Sequence, residues 1–341
     1  MRRLVVAARR PLAIATIVGT LTALASTQVA AGPVEECVFD AGTATVTIEV
    51  QDDVVIVTDA NDPNGSIVVD GSPCGVATVT NTDLVDIHAG SDNRIDIVTD
   101  YGAFAPGATE EGDGASEIEF HITQGTDAVL AISGGAASDA FATALAHIAP
   151  STWVDAINLN ADESVLDHDV LSEFGLMSGL FVTGGGGSDR FDLTGGGAGE
   201  APMPVATTVG GGPGDDCFSF RGGFSDLVAI FGGGGTDALD LSSAQVAANV
   251  IVNLRRGDGI VNGLFSVADL EELVGHDGVD IFVGDSRRQR FVGGQGDDSL
   301  LGRAGGDHLV GGIGDDRVYG GLGHDTCRPG TGNDTVRSCE A

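Results

Sequence analysis

The sequence predicts an all-β chain: a solenoid wound from nonapeptide repeats, behind a β-rich N-terminal cap. Three observations lead there. From Gly293 onward, glycine, aspartate and an apolar residue recur with a nine-residue period. Between residues 37 and 100, short Val/Ile/Thr runs are separated by Gly, Asp, Asn and Pro clusters, the pattern of short strands and turns. Helical periodicity is scarce: 54 of the 341 residues are Gly, and only Ala140–Ile148 and Val267–Leu273 carry the pattern of a short helix.

In chain order, residues 1–31 read as a secretory signal. Arg2, Arg3, Arg9 and Arg10 precede an apolar stretch from Pro11 to Ala25, and small-x-small cleavage points fall after Ala25 and after Ala31. The apolar stretch, broken by Thr and Gly, is short for a membrane span, and no later run is longer, so no membrane insertion of the mature chain is expected. Residues 32–125 form the β-rich region. Strands are expected at Thr43–Val50, Val54–Thr58, Val76–Thr80 and Leu84–His88, a turn at Asp62-Pro-Asn-Gly65, and a surface loop over 103–116. Export favours disulfides, and the simplest pairing of the five cysteines is local: Cys37 with Cys74 and Cys327 with Cys339, leaving Cys217 single.

Charge narrows the partners. There are 50 Asp plus Glu against 16 basic residues, all Arg, for a formal net charge of −34. Loss of the four leader arginines would take the charge to about −38. Such a surface repels nucleic acid and suits cations. Without lysine there is neither a P-loop nor Schiff-base chemistry.

The period is strictest in five blocks beginning at Gly293, Gly302, Gly311, Gly320 and Pro329. Position six is Asp in each (Asp298, Asp307, Asp316, Asp325, Asp334), position four is Gly, and position eight is Leu, Val or Cys. Two weaker blocks precede them in frame: Gly275–Val283 with Asp280, and Gly284–Val292 with Gln289 in place of Asp. These blocks resemble the calcium-binding nonapeptide of RTX, or haemolysin-type, repeat proteins, G-G-x-G-x-D-x-U-x, over residues 275–337. The physics suits the resemblance. Glycine supplies backbone with φ > 0 and lets carbonyls approach an ion; x-U-x alternates as a short strand; calcium takes six to eight oxygens from carboxylates and carbonyls.

The resemblance implies a parallel β-roll with two blocks per coil, so that loops two blocks apart stack and share an ion. One edge would carry Asp280, Asp298, Asp316 and Asp334, and the other Gln289, Asp307 and Asp325. Glycines of the loops, Gly294, Gly296, Gly312, Gly314, Gly305, Gly321 and Gly323, would complete the sites. On this basis about four ions are expected: three on the first edge and, on the second, one good site beside another weakened by Gln289. At ten times Kd each site adds roughly 1.4 kcal/mol, so four add roughly 5 to 6 kcal/mol, comparable with a whole domain's stability. The last cysteine bridge would cap the open end of the roll.

Isolated copies occur upstream, at Gly184 with Asp189, Gly211 with Asp216 and Gly232 with Asp237; a fourth at Gly134, with Asp139, has Ala at position four. They suggest a degenerate solenoid over 126–245 preceding the roll at 246–341. Asp189, Asp216 and Asp237 are candidate metal residues there, the alternative being that these are only tight turns of the solenoid; Asp216 and Asp237 can stack on one edge, whereas Asp189 has no obvious neighbour. No HExxH or GxSxG motif is present. The seven histidines are scattered and read as surface or strand residues, and Asp162, Asp167 and Asp169 around His168 form the acidic cluster outside the repeats. The expectation is a secreted, non-enzymatic calcium-binding protein with a structural or adhesive role, meeting an extracellular protein or glycan. The alternative is a carbohydrate-active lyase, epimerase or hydrolase on the same scaffold, its chemistry in residues 100–270.

Overall fold

The computed structural model describes residues 36–59, 62, 64–98, 118–123, 128–135, 140–149, 152–158, 170–173, 177–193, 207–220, 228–244, 249–260 and 264–340. The expected leader at 1–31, the expected loop at 103–116, Asp139, and the cluster at 162–169 lie outside them. The described residues contain no helix, and none of their elements is a helix long and apolar enough to cross a membrane.

Two sheets, of 14 and 15 strands among the described residues, face each other, and the chain passes from one to the other at nearly every turn. Most neighbours within a sheet are parallel. In the C-terminal roll the register is 18 residues per coil: Phe282 lies beside Leu300 and Leu300 beside Val318 in one sheet, and Phe291 beside Leu309 in the other. Each coil therefore takes two nonapeptides. Position eight faces inward, and Phe282, Phe291, Leu300, Leu309 and Val318 are all fully buried. The same inward row continues upstream through Phe191, Phe218, Leu239 and Leu273, with Phe191 and Phe218 stacked at 4.9 Å between ring centroids. Further upstream, alternating Val and Ile replace them: Val46 and Ile48, Val85 and Ile87, Ile95 and Ile97. Among the described residues one core thus runs from Val46 to Val318.

Among the described residues, three antiparallel excursions interrupt the winding. Ser66–Val69 and Ser72–Thr78 fold back on Val54–Thr58 and form the outer edge of one sheet. Thr152–Asn158 lies antiparallel between Ala140–Ala149 and Val170–Glu173. Asp258–Ile260 lies likewise between Val250–Asn253 and Leu264–Ala268. The expected turn at Asp62–Gly65 opens the first of these: Gly65 has φ +63° and donates its N–H to the Asp62 carbonyl at 2.9 Å.

Both expected helices are strands. Ala140–Ala149 pairs with Arg190–Leu193 on one side and Thr152–Asn158 on the other, so ladder hydrogen bonds override alanine's helix preference. Leu264–Ala268 and Glu272–Val274 are strands of opposite sheets, separated at Asp269, whose φ is +54°. The disulfides Cys37–Cys74 and Cys327–Cys339 form as expected, and Cys217 is a free thiol. The first joins the outermost N-terminal strands of the two sheets. The second ties the last strand of one sheet to the segment after the last strand of the other.

Candidate metal centre

The position-six aspartates form two hydrogen-bonded ladders along the edges of the solenoid. On one edge the Asp280 N–H donates to Asp298 Oδ1 at 2.8 Å, the Asp298 N–H to Asp316 Oδ1 at 2.9 Å, and the Asp316 N–H to Asp334 Oδ1 at 3.1 Å. On the other edge the Gln289 N–H donates to Asp307 Oδ1 and the Asp307 N–H to Asp325 Oδ1, each at 2.9 Å. Each carboxylate thus spends one oxygen holding the coil before it. A counter-ladder runs outside it at position five: the Asp315 N–H donates to Asp297 Oδ1, and the Asn333 N–H to Asp315 Oδ1, both at 2.8 Å.

The second oxygen is the chemically open one. Among the described residues, Oδ2 of Asp298, Asp316, Asp307 and Asp325 is buried with no hydrogen-bond partner. Each aims at the position-one glycine of its own loop, where a carbonyl from the next coil on that edge also arrives. A Cβ built on Gly293 would collide with Asp298 Oδ2 and lie 2.6 Å from the Gly311 carbonyl oxygen. At Gly311 the same point meets Asp316 Oδ2 and the Pro329 carbonyl. At Gly302 it meets Asp307 Oδ2 and the Gly320 carbonyl, and at Gly320 it meets Asp325 Oδ2 and the Ser338 carbonyl. Only glycine leaves room there for oxygens alone. The loops take their shape from the glycines at positions two and four: Gly294, Gly296, Gly312, Gly314, Gly321 and Gly323 have φ between +113° and +144°, and Gly305 has φ +135°. In the Gly302 loop position two is Arg303, forced to φ +77°.

A buried carboxylate oxygen without a proton donor is costly. Burial accordingly pushes Asp298 up to about 7 and Asp307 to about 6, from an ordinary value near 3.8, and raises Asp316 as well. The donor set is oxygen only, a negative oxygen converging with carbonyls, which fits a hard cation such as calcium. Among the described residues no group of three Asp, Glu, His or Cys side chains is placed to hold a metal ion, and the oxygens beside each Oδ2 at the position-one glycines are backbone carbonyls.

Asp280 differs. Its Oδ2 accepts the His276 N–H and its Oδ1 meets His276 Nδ1, each at 2.9 Å. His276, expected at the surface or in a strand, is buried inside this loop. The imidazole and backbone N–H occupy both carboxylate oxygens, while burial drives Asp280 to about 8. Gln289 brings a neutral Oε1 to the cradle at Gly284.

The upstream aspartates stand on the same edge as Asp307. The Asp189 N–H donates to Asp216 Oδ1 at 2.8 Å, so Asp189 does have a stacking neighbour; the 27-residue spacing is one enlarged coil. The Asp216 N–H donates to Asp237 Oδ1 at 2.9 Å. Glu271, 18 residues before Gln289, then accepts from the Asp237 N–H at 3.1 Å. Glu340 closes the far end by accepting from the Asp325 N–H at 2.5 Å. Sequence reasoning missed both glutamates. For Glu271 a signal existed: it sits in frame at position six, two residues before the inward Leu273.

A family model described as RTX calcium-binding nonapeptide repeat (4 copies) matches residues 283–314 and 301–336. These coils are thus calcium-binding repeats of the RTX type, wound as a parallel β-roll. No curated protein matches the chain.

Proposed function

We propose that this chain is an exported calcium-binding solenoid with a structural or adhesive role at a cell surface or in a matrix, its C-terminal coils stabilised by calcium. The observation that carries the reading is the alignment of a buried, partnerless carboxylate oxygen with a next-coil carbonyl, repeated at Asp298, Asp316, Asp307 and Asp325. These four, two per edge, are the residues that would hold the ions. Asp280 is withdrawn by His276 and Gln289 is uncharged, while Asp334, half-buried at the open end, completes the ladder. Bound calcium would supply the positive charge that lets each carboxylate stay ionised while buried. The chain's part is to hold the oxygens in place through the ladder and to exclude side-chain atoms through glycine. Export is supported by the leader-like N-terminus and by disulfides at both ends of the solenoid. The strongly negative surface favours a partner, protein or glycan, that tolerates or bridges through divalent cations.

Calorimetric titration of the mature protein with calcium, and separately with magnesium, tests the binding reading. About four or more ions with calcium, and far weaker binding of magnesium, is the expected result. Absence of calcium binding, or equal binding of magnesium, would overturn it.

A further inference from the structure

We infer that the solenoid carries a second divalent-cation array, at Asp216 and Asp237, upstream of and separate from the matched repeats. It rests on the reading that the C-terminal cradles bind calcium, and extends it to residues that the repeat match at 283–336 does not reach.

Three independent features coincide. The backbone has the same form: Gly212 and Gly233 have φ +108° and +114°, and Gly214 and Gly235 +144° and +151°, against +129° and +144° for Gly312 and Gly314. The inter-coil bond is the same too. Gly214 N–H donates to the Gly234 carbonyl at 2.7 Å, as Gly314 N–H does to the Thr331 carbonyl at 3.0 Å. Finally, Asp216 and Asp237 are 2% and 0% exposed, and Oδ2 of each is buried without a partner among the described residues. Asp216 Oδ2 converges with the Gly232 carbonyl at Gly211, and Asp237 Oδ2 with the Asp269 carbonyl at Gly232. Asp269 has φ +54°, close to the +50° of Ser338, whose carbonyl arrives in the same way at Gly320.

The array ends where the chain supplies its own cation. Arg287 stands at position four of the degenerate Gly284 block. Its NH1 lies 2.8 Å from Glu271 and 3.3 Å from Asp269, and its Nε 3.0 Å from Asp285. A guanidinium therefore neutralises the rung between Glu271 and Gln289, and this edge is divided into two arrays by a rung that needs no metal.

Hydrogen exchange of the full mature chain, in chelator and in calcium, read by peptides over 207–240 and 290–336, separates the possibilities. We expect calcium to slow exchange in both segments. In the double variant Asp216→Asn and Asp237→Asn the slowing should vanish from 207–240 and persist over 290–336, with calcium stoichiometry falling by about two. Asn keeps the Oδ1 acceptor that holds the neighbouring coil, and unchanged exchange of the variant in chelator checks that the fold survives. Protection confined to 290–336 in the unsubstituted protein would overturn the upstream array alone. Protection in neither segment would overturn the C-terminal reading as well. Protection over 207–240 that survives the double substitution would show that other residues bind there, against the assignment.

Discussion

Asp298 does two separable things, and two substitutions divide them. Its Oδ1 accepts the buried Asp280 N–H, and its Oδ2 faces the cradle at Gly293. Asp298→Ala removes both oxygens. The stranded N–H should cost about 1–3 kcal/mol even without metal. Loss of one calcium site removes roughly a further 1.4 kcal/mol at ten times Kd. Asp298→Asn keeps an Oδ1 acceptor and removes only the negative charge. In chelator it should be no less stable than the unsubstituted chain. At pH 8 it should be more stable, because burial has pushed the Asp298 carboxyl up to about 7 and its ionised form is the disfavoured one there. In calcium the Asn variant should lose only the site's share. Urea unfolding of all three proteins, followed by the β signal in circular dichroism, in chelator and in calcium, reads these differences. Equal destabilisation of the Asn and Ala variants in chelator, or an Asn variant that keeps the whole calcium increment, would refute the division of labour.

Three other predictions concern the rest of the solenoid. Arg303→Gly should stabilise the chain by about 1 kcal/mol, by relieving an L-residue at φ +77°; an unchanged unfolding midpoint would contradict the strain. Without calcium, stability should fall as pH rises from about 4 to about 8. The folded chain holds protons on Asp280, Asp298, Asp237 and Asp307, raised to about 8, 7, 7 and 6, that the unfolded chain, with values near 3.8, has released. Their contribution is complete below 3.8 and gone above 8. Calcium binding near pH 6.5 should therefore release protons, seen as a calorimetric heat that depends on the buffer's ionisation enthalpy. Reduction should loosen both ends: opening Cys37–Cys74, which spans 37 residues, costs roughly 4 kcal/mol, and opening Cys327–Cys339, which spans 12, roughly 3 kcal/mol. The corresponding Ser variants should show faster amide exchange in the terminal strands only.

The strict blocks were legible because every position does one physical task. Glycine permits the positive φ, aspartate bonds the next coil, and the apolar residue fills the core, so the nine-residue period carries the ladder and the buried row together. What escaped was non-periodic. Asp189 sits 27 residues from Asp216, and periodicity alone would put it on the opposite edge; the enlarged coil restores it. Glu340 reaches the ladder 15 residues after Asp325, a spacing no strict repeat predicts, and Glu271, though in frame, stands in a block that has no glycine to mark it. Ala140–Ala149 has a composition suited to a helix, and only its two neighbouring strands make it a strand. The antiparallel excursion at Val250–Ala268 adds rungs to one sheet alone, a consequence of how non-adjacent segments pair. His276 was unreadable for a related reason. Its position in the block is a glycine position, and that its imidazole turns onto Asp280 depends on packing within one loop.

Bound cations would sit at the inner carboxylates, beside position-one glycines, and not along the outer row at position five. Anomalous difference density from crystals of the mature protein grown with calcium tests it directly. Peaks are expected between Asp298 Oδ2 and the Gly311 carbonyl, and at the equivalent points of Asp316, Asp307 and Asp325. Density confined to the exposed row of Asp297 and Asp315, or none on either edge, would contradict it.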